Sequence, residues 1–180
     1  MKRATVILFC VLVLVIVGCG NKNSKKMDVI PETGVSWNAS PSELEKMHGG
    51  STDSYDTTDG GTTYCFNYNF QGVDGEFRYC YDEDNKEIVS ALFFVRMDNE
   101  QDKFNGILDA TIKQYTEELG NANYNFENEV AKSTGWLDKD KNVPLMIMAV
   151  NMPLMDNMVN TMAVTWYNPN RYDDAAVKQN

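Results

Sequence analysis

The pattern of apolar and polar residues predicts three strands in the first half of the chain. Aromatic residues alternate with polar residues or cysteine at 64–70 and again at 77–81, which is the period of a strand with one buried face. Residues 88–95 are apolar on both alternating faces, as expected of a covered central strand. Residues 51–62 contain one aromatic residue, Tyr55, and predict a loop.

Two helices are predicted from the signals at their ends. Ser40-Pro41-Ser42-Glu43 is a capping box with proline at the first helical position, and Gly49-Gly50 ends this helix, which therefore covers residues 41–48. A longer helix begins at Asp98-Asn99-Glu100-Gln101 and ends at Gly120, with its apolar residues along one stripe.

The second half of the chain repeats the order of the first. A polar loop leads to a strand that starts at Trp136, and two more strands are predicted at 143–152 and 160–167. The sequence therefore predicts an α+β fold of two layers with an antiparallel sheet. The sheet is made of two tandem helix-strand-strand-strand units, about 36–97 and 98–168, and both helices pack on one face.

The two aromatic strands predict a hairpin with a definite register. Placing Cys65 opposite Cys80 brings Phe66 opposite Tyr79 and sends all the aromatic side chains to one face. Directly opposed residues lie within reach of a disulfide, so a Cys65-Cys80 disulfide is predicted for a chain that reaches an oxidising compartment. The alternatives are two free thiols, or half of a metal site without nearby histidines.

The chain starts with MKRATVILFCVLVLVIVGC, which is a basic start, a short apolar run and a small residue before Cys19. This segment resembles the bacterial lipoprotein signal with its lipobox. The apolar run from Ala4 to Gly18 is shorter than the roughly 18 to 20 residues of a membrane-spanning helix, which argues against such an anchor. The resemblance implies cleavage before Cys19, acylation of its thiol by diacylglycerol and palmitate-type chains, and an extracytoplasmic place on a bacterial cell membrane, or on an outer membrane if the source has one.

One domain is predicted between the lipid anchor and a polar end. The residues between them number about 130, which is the size of one ordinary domain. The predicted boundaries are 1–18 for the signal peptide, 19–35 for the lipidated cysteine and a flexible tether, 36–168 for the domain and 169–180 for a polar tail.

Charge and motifs exclude two classes of function. Loss of Lys2 and Arg3 with the signal lowers the 16 basic residues to 14 against 26 acidic ones, so the mature net charge is −12. Nucleic-acid binding requires a basic face and is not expected. The one histidine, His48, lies at the C-terminal end of the first helix, where its positive charge suits the free carbonyls. No GxSxG, P-loop or HExxH motif occurs, so no enzyme activity, catalytic residue or cofactor is predicted.

The methionines suggest an alternative based on copper. Six of the ten lie between Met146 and Met162. Met152, Met155 and Met158 form an MxxMxxM run, which resembles the methionine motifs of proteins that handle monovalent copper, because thioethers are soft ligands.

Strand parity favours a simpler interpretation of most of these methionines. Pairing Val150 with Met162 places Met146 and Met148 on the buried face, where methionine fills gaps in a core. The connecting loop is then left as an exposed apolar surface that docks on a partner, formed by Leu154, Met155 and Met158.

The order of elements resembles that of small bacterial lipoproteins and secreted proteins with the beta-lactamase-inhibitor-protein-like (SmpA/OmlA) plan. The matching pieces are residues 40–49 and 115–120, each a helix end with glycine that is followed by strands. The resemblance implies a non-catalytic domain that presents a sheet face or loops to an envelope or secreted protein, with a cystine stapling a hairpin. We therefore predict a lipid-anchored extracytoplasmic binding or scaffold module, with copper binding and small-ligand binding as the alternatives.

Overall fold

Two helices and eight strands make up the part of the chain that the computed structural model describes, residues 27–50, 53–56, 61–154 and 157–172. The predicted α+β class with an antiparallel sheet is confirmed. In chain order the elements are α1 (Pro41–His48), β1 (Asp53–Asp56), β2 (Gly61–Phe70), β3 (Val73–Asp82), β4 (Glu87–Asp98), α2 (Gln101–Leu119), β5 (Tyr124–Glu127), β6 (Ala131–Trp136), β7 (Leu145–Leu154) and β8 (Asn157–Tyr167).

All eight strands belong to one sheet, in the spatial order β1-β2-β3-β4-β8-β7-β6-β5, and every neighbouring pair is antiparallel. The last strand of each half, β4 or β8, lies at the centre, so the two halves of the chain meet along these two long strands. The short strands β1 and β5 lie at the two edges.

Both helices have the bounds that their end signals predict. The amide of Ser40 donates to a carboxylate oxygen of Glu43 at 2.8 Å, and α1 ends at Gly49 with a φ of +77°. Helix α2 ends before Gly120 and packs against β4 and β8, so it crosses the centre of the sheet. Its buried residues are Phe104, Leu108, Thr111 and Tyr115.

The helices pack on one face of the sheet, which we call the covered face. The His48 ring of α1 stacks on Phe66, and Tyr115 of α2 packs against Trp136 and Trp166. Since alternate residues of a strand share a face, the six inner strands, β2 to β4 and β6 to β8, direct every second residue toward this core. Its largest fully buried members from the sheet are Phe70, Phe77, Tyr79, Ile88, Phe93, Leu145, Ile147 and Trp166.

The folded domain extends beyond its predicted limits at both ends. Ile30 and Val35, which fall in the predicted tether 19–35, are buried in the core. Arg171, in the predicted polar tail, forms an ion pair with Asp82 at 2.9 Å. The predicted signal peptide, Cys19, residues 20–26, Met155 and residues 173–180 lie outside the described residues.

The two edge strands replace segments that the sequence predicts as loops. Strand β1 pairs with β2 although all four of its residues are exposed, so it has no apolar alternation that could reveal it. Strand β5 pairs with β6 in the predicted polar loop after Gly120. Very short strands at the edges of a sheet are a common way to limit further strand addition.

The turn between β2 and β3 sets a hairpin register that differs from the predicted one. Gln71 and Gly72 both have positive φ, 54° and 82°, as in a two-residue type I′ turn. This turn pairs Phe70 with Val73.

The predicted pairing of Cys65 with Cys80 is therefore wrong by two residues. Cys65 lies opposite Arg78, and Cys80 lies opposite Thr63. A shift of two residues preserves the alternation of faces, so the aromatic residues of both strands still share the covered face, as predicted.

Strand β7 turns its methionines to the opposite face from the predicted one. Ala149, rather than Val150, pairs with Met162. A shift of one residue moves every side chain to the other face, so Ile147 is buried and Met148 points away from the helices. The prediction that methionines of this strand fill the core is wrong for Met146 and Met148.

Candidate functional site

Among the residues that the structure describes, those on the face of β5–β8 that points away from the helices carry no charged side chain. Its members follow from the strand pairing, in which Phe126 lies opposite Ser133 and Ser133 lies opposite Met148. We call this surface the open face. It consists of sixteen residues: Tyr124, Phe126, Ala131, Ser133, Gly135, Met146, Met148, Val150, Met152, Leu154, Asn157, Val159, Thr161, Ala163, Thr165 and Tyr167.

Large apolar side chains on the open face are exposed to solvent. The exposed fractions are 46% for Phe126, 42% for Met148, 51% for Met152 and 54% for Leu154. The cores of protein interfaces are depleted of charged residues and enriched in aromatic residues and methionine. Methionine also adapts its flexible side chain to a partner surface. The composition of the open face is therefore that of an interface core.

Charged residues begin at the next strands, where they form pairs with one another. On β3, Arg78 binds Glu76 at 2.7 Å, and its guanidinium lies 4.0 Å from the centre of the Phe94 ring. On β4, Arg96 binds Asp98 at 2.8 Å, and this hydrogen-bonded arginine lowers the pKa of the Asp98 carboxyl. The polar border of the open face is thus locally neutral.

The two cysteines of the hairpin lie on the same side of the sheet as the open face. Both are free thiols in the structure. Cys80 accepts a hydrogen bond from the Thr63 hydroxyl at 3.7 Å. Burial raises the pKa of the Cys65 thiol, which keeps it protonated near neutral pH. The cysteines occupy diagonal positions on neighbouring strands, and their oxidation to a disulfide stays a prediction.

The structure does not bring the described members of the methionine run together. Met152 pairs with Val159, and Pro153 pairs with Met158, so Met152 and Met158 point to opposite faces of the β7–β8 hairpin. Leu154 is exposed at the end of β7, as the docking-loop prediction requires. Copper binding by the run stays a prediction that this placement does not favour.

His48 lies among aromatic rings. The sequence instead suggests a positively charged His48 beside the free carbonyls at the end of α1. Its Nε2 atom is 2.8 Å from the Tyr79 hydroxyl, and its ring stacks on Phe66 with 4.3 Å between centres. Burial lowers the pKa of His48, so the neutral ring is favoured. Among the described residues, no three His, Cys, Asp or Glu side chains are grouped to hold a metal ion.

A polar cleft of about 310 Å³ lies on the covered side, beside the N-terminal half of α2. Asn105 and Asp109 of α2, Lys132 of β6 and Asn151 of β7 line it.

Asn151 pairs with Asn160 on β8. The Oδ1 atom of Asn151 and both amide atoms of Asn160 are buried without a hydrogen-bond partner among the described residues. Such atoms are rare in folded proteins, and here they lie in the β7–β8 pair, of which Asn151 lines the cleft. Sequence reasoning missed this cleft because its walls come from segments far apart in the chain.

Comparison with known proteins gives no relative for this chain. No family model, curated protein or solved structure matches it. In the described part of the chain, neither helix has the length and apolar character that crossing a membrane would require.

Proposed function

We propose that this chain is a non-catalytic protein-binding module and that the open face of β5–β8 is its contact surface. The observation that supports this proposal best is the absence of charge from all sixteen positions of that face, beside exposed methionine and aromatic side chains. A folded monomer has no need of such a patch, because exposed contiguous apolar surface promotes association. Because the residues of this patch lie on the strands of a sheet, little backbone conformational entropy would be lost when a partner binds.

The proposed location of the protein is the outer side of a bacterial membrane, with Cys19 as the lipidated residue. The basic start, short apolar run and small residue before Cys19 support it. We further propose that the domain follows the beta-lactamase-inhibitor-protein-like plan as two tandem units. The element order supports this, since a helix and four strands occur in each half and the sheet joins the halves at β4 and β8.

The test of the proposed function is site-specific photocrosslinking in intact source cells. A photoreactive residue at Met148 samples the open face, and the same residue at Met47 samples an equally solvent-accessible methionine on α1, where 53% of the side chain is exposed. We expect protein crosslinks from position 148 and none from position 47. Loss of these crosslinks in Cys19→Ala would connect the contact to membrane anchoring. Equal crosslinking from both positions, or none from position 148, would overturn the proposal.

A second candidate function is the binding of a small polar ligand in the cleft beside α2. It is supported by the polar lining of this cleft, which includes Asn105, Asp109 and Asn151. Asp109 and Lys132 would offer both signs of charge to a zwitterion the size of an amino acid. Thermal unfolding with a panel of amino acids and simple sugars would test it. We expect a rise in melting temperature for a binder, and that rise should be absent in Asn151→Leu.

A further inference from the structure

We infer that the open face binds a second copy of this chain, so that two sheets meet face to face. This inference rests on the proposed protein-binding function and identifies the partner. Three properties of the face bear on the choice of a second copy as partner: its charge, its area and the long apolar side chains that stand out from it.

The charge of the molecule selects where two copies can meet. After cleavage before Cys19 each copy carries a net charge of −12, so two copies repel one another over most of their surfaces. The open face has no charged residue, and at its border Arg96 is paired with Asp98. A face-to-face contact therefore brings no carboxylate against another carboxylate.

The same distribution of charge argues against a basic partner. A basic protein gains affinity where acidic side chains face it, because complementary charges steer association. The acidic residues of the C-terminal half lie elsewhere, for example Asp102, Glu117 and Glu118 on α2. A neutral face on a strongly acidic molecule suits an equally acidic partner better than a basic one.

The area of the face predicts a weak dimer. The four strands of the open face, about 4.8 Å apart and about six residues long, give a footprint on the order of 380 Å². Two such faces bury on the order of 760 Å², which is below the minimum of about 1,000 Å² for a stable specific interface. Anchoring both copies to one membrane through Cys19 would raise their effective concentration and favour the contact.

The form of the face suits the packing of two sheets. Aligned sheets pack about 10 Å apart with interdigitating side chains. Phe126, Met148 and Met152 are long side chains that stand out from the open face and would fill that space. The dimer would thus have four layers, with helices outside and sheets inside, and a two-fold axis as in most homodimers.

The first experiment measures energy transfer between two labelled populations of the full chain in phosphatidylcholine vesicles. We expect transfer above that of randomly distributed molecules, and we expect it to increase with added salt because screening weakens the repulsion between acidic copies. Met148→Lys should weaken self-association at least tenfold, whereas Met47→Lys should leave it unchanged. Met152→Lys is a second variant on the same face and should weaken self-association in the same way. Energy transfer that falls with salt, or that both control and face variants leave unchanged, would overturn the inference.

The second experiment separates this inference from the proposed function. Cells carry the full chain with two different tags, and the photoreactive residue is placed at Met148. A crosslinked product that contains both tags supports the second copy as partner. A product that contains a different protein supports the proposed function and overturns this inference. A lack of any protein product from position 148 overturns both.

Discussion

The two faces of β7 show how one apolar strand serves two purposes. Leu145, Ile147 and Ala149 are each only 1% exposed and lie under the helices. Met146, Met148 and Met152 alternate with them and lie on the open face. Hydrophobic residues on the covered face are explained by folding alone. Those on the open face are not, because no described element buries them, and this difference is what points to a binding surface.

The largest expected effect of mutation lies on the covered face. Ile147→Ala should lower the free energy of unfolding by about 3 kcal/mol, because it removes buried methyl groups and leaves a cavity. Met148→Ala, on the adjacent residue, should cost less than about 1 kcal/mol, since its side chain is already largely in solvent. Urea unfolding of both variants measures the difference. Equal losses would show that β7 does not divide its residues between two faces.

Alanine substitutions at two glycines compare the covered face with the open face in the same way. A Cβ atom at Gly75 on β3 would lie 2.5 Å from the carbonyl oxygen of Phe94 and 2.6 Å from the Phe93 ring. Gly75→Ala should therefore cost about 1 to 3 kcal/mol through overpacking. At Gly135, on the open face, the nearest atom is 3.1 Å away in the flexible Leu137 side chain. Gly135→Ala should cost less, and a larger loss there than at Gly75 would contradict the assigned faces.

A smaller effect is expected from His48, which packs on the covered face and should make the free energy of unfolding depend on pH. Burial lowers the pKa of His48 in the folded state, so the unfolded chain binds the proton more readily. The folded state should therefore lose stability as pH falls below the ordinary histidine pKa of about 6.5. Burial raises the pKa of Glu32, which gives the opposite slope at lower pH. Urea unfolding of the unchanged chain and of His48→Gln at a series of pH values isolates the contribution of the histidine. The variant should lack the loss in free energy of unfolding just below about pH 6.5. The same pH dependence in both proteins would contradict a neutral, buried His48.

The smallest effect on stability is expected from charge placed on the open face. Met148→Lys and Met47→Lys should each change the free energy of unfolding by less than about 0.5 kcal/mol, because both side chains are exposed. Only the first should change binding, as measured by crosslinking. A Met148→Lys variant that unfolds would place Met148 in the core and remove the basis of the comparison.

The fold could be predicted further from the sequence than the site. Capping at Ser40 and the stop at Gly49 define α1, and the strong aromatic alternation in β2 and β3 assigns the right face even though the register is shifted by two residues. Strand β7 has apolar residues on both faces, so its pattern cannot decide which set is buried. That choice is made by pairing with β8, where Ala149 lies opposite Met162.

The cleft and the surroundings of His48 were beyond sequence reasoning for a different physical reason. Each is formed by side chains from segments that only tertiary packing brings together, such as α2 with β7, or α1 with β2 and β3. The open face is intermediate in how far the sequence predicts it. Its uncharged positions can be read from the sequence as soon as the parity of β7 and β8 is known.

Methionine oxidation provides the most direct test that the open face is exposed in the isolated molecule and covered in the cell. Dilute peroxide is applied to the full chain at low density in phosphatidylcholine vesicles and to intact source cells, and oxidation is read by mass spectrometry. In vesicles, Met148 and Met152 should oxidise about as readily as Met47, while Met162, which is 1% exposed, should be protected. In cells, Met148 and Met152 should become protected while Met47 stays reactive. Oxidation of Met148 in cells at the rate of Met47 would contradict the central claim.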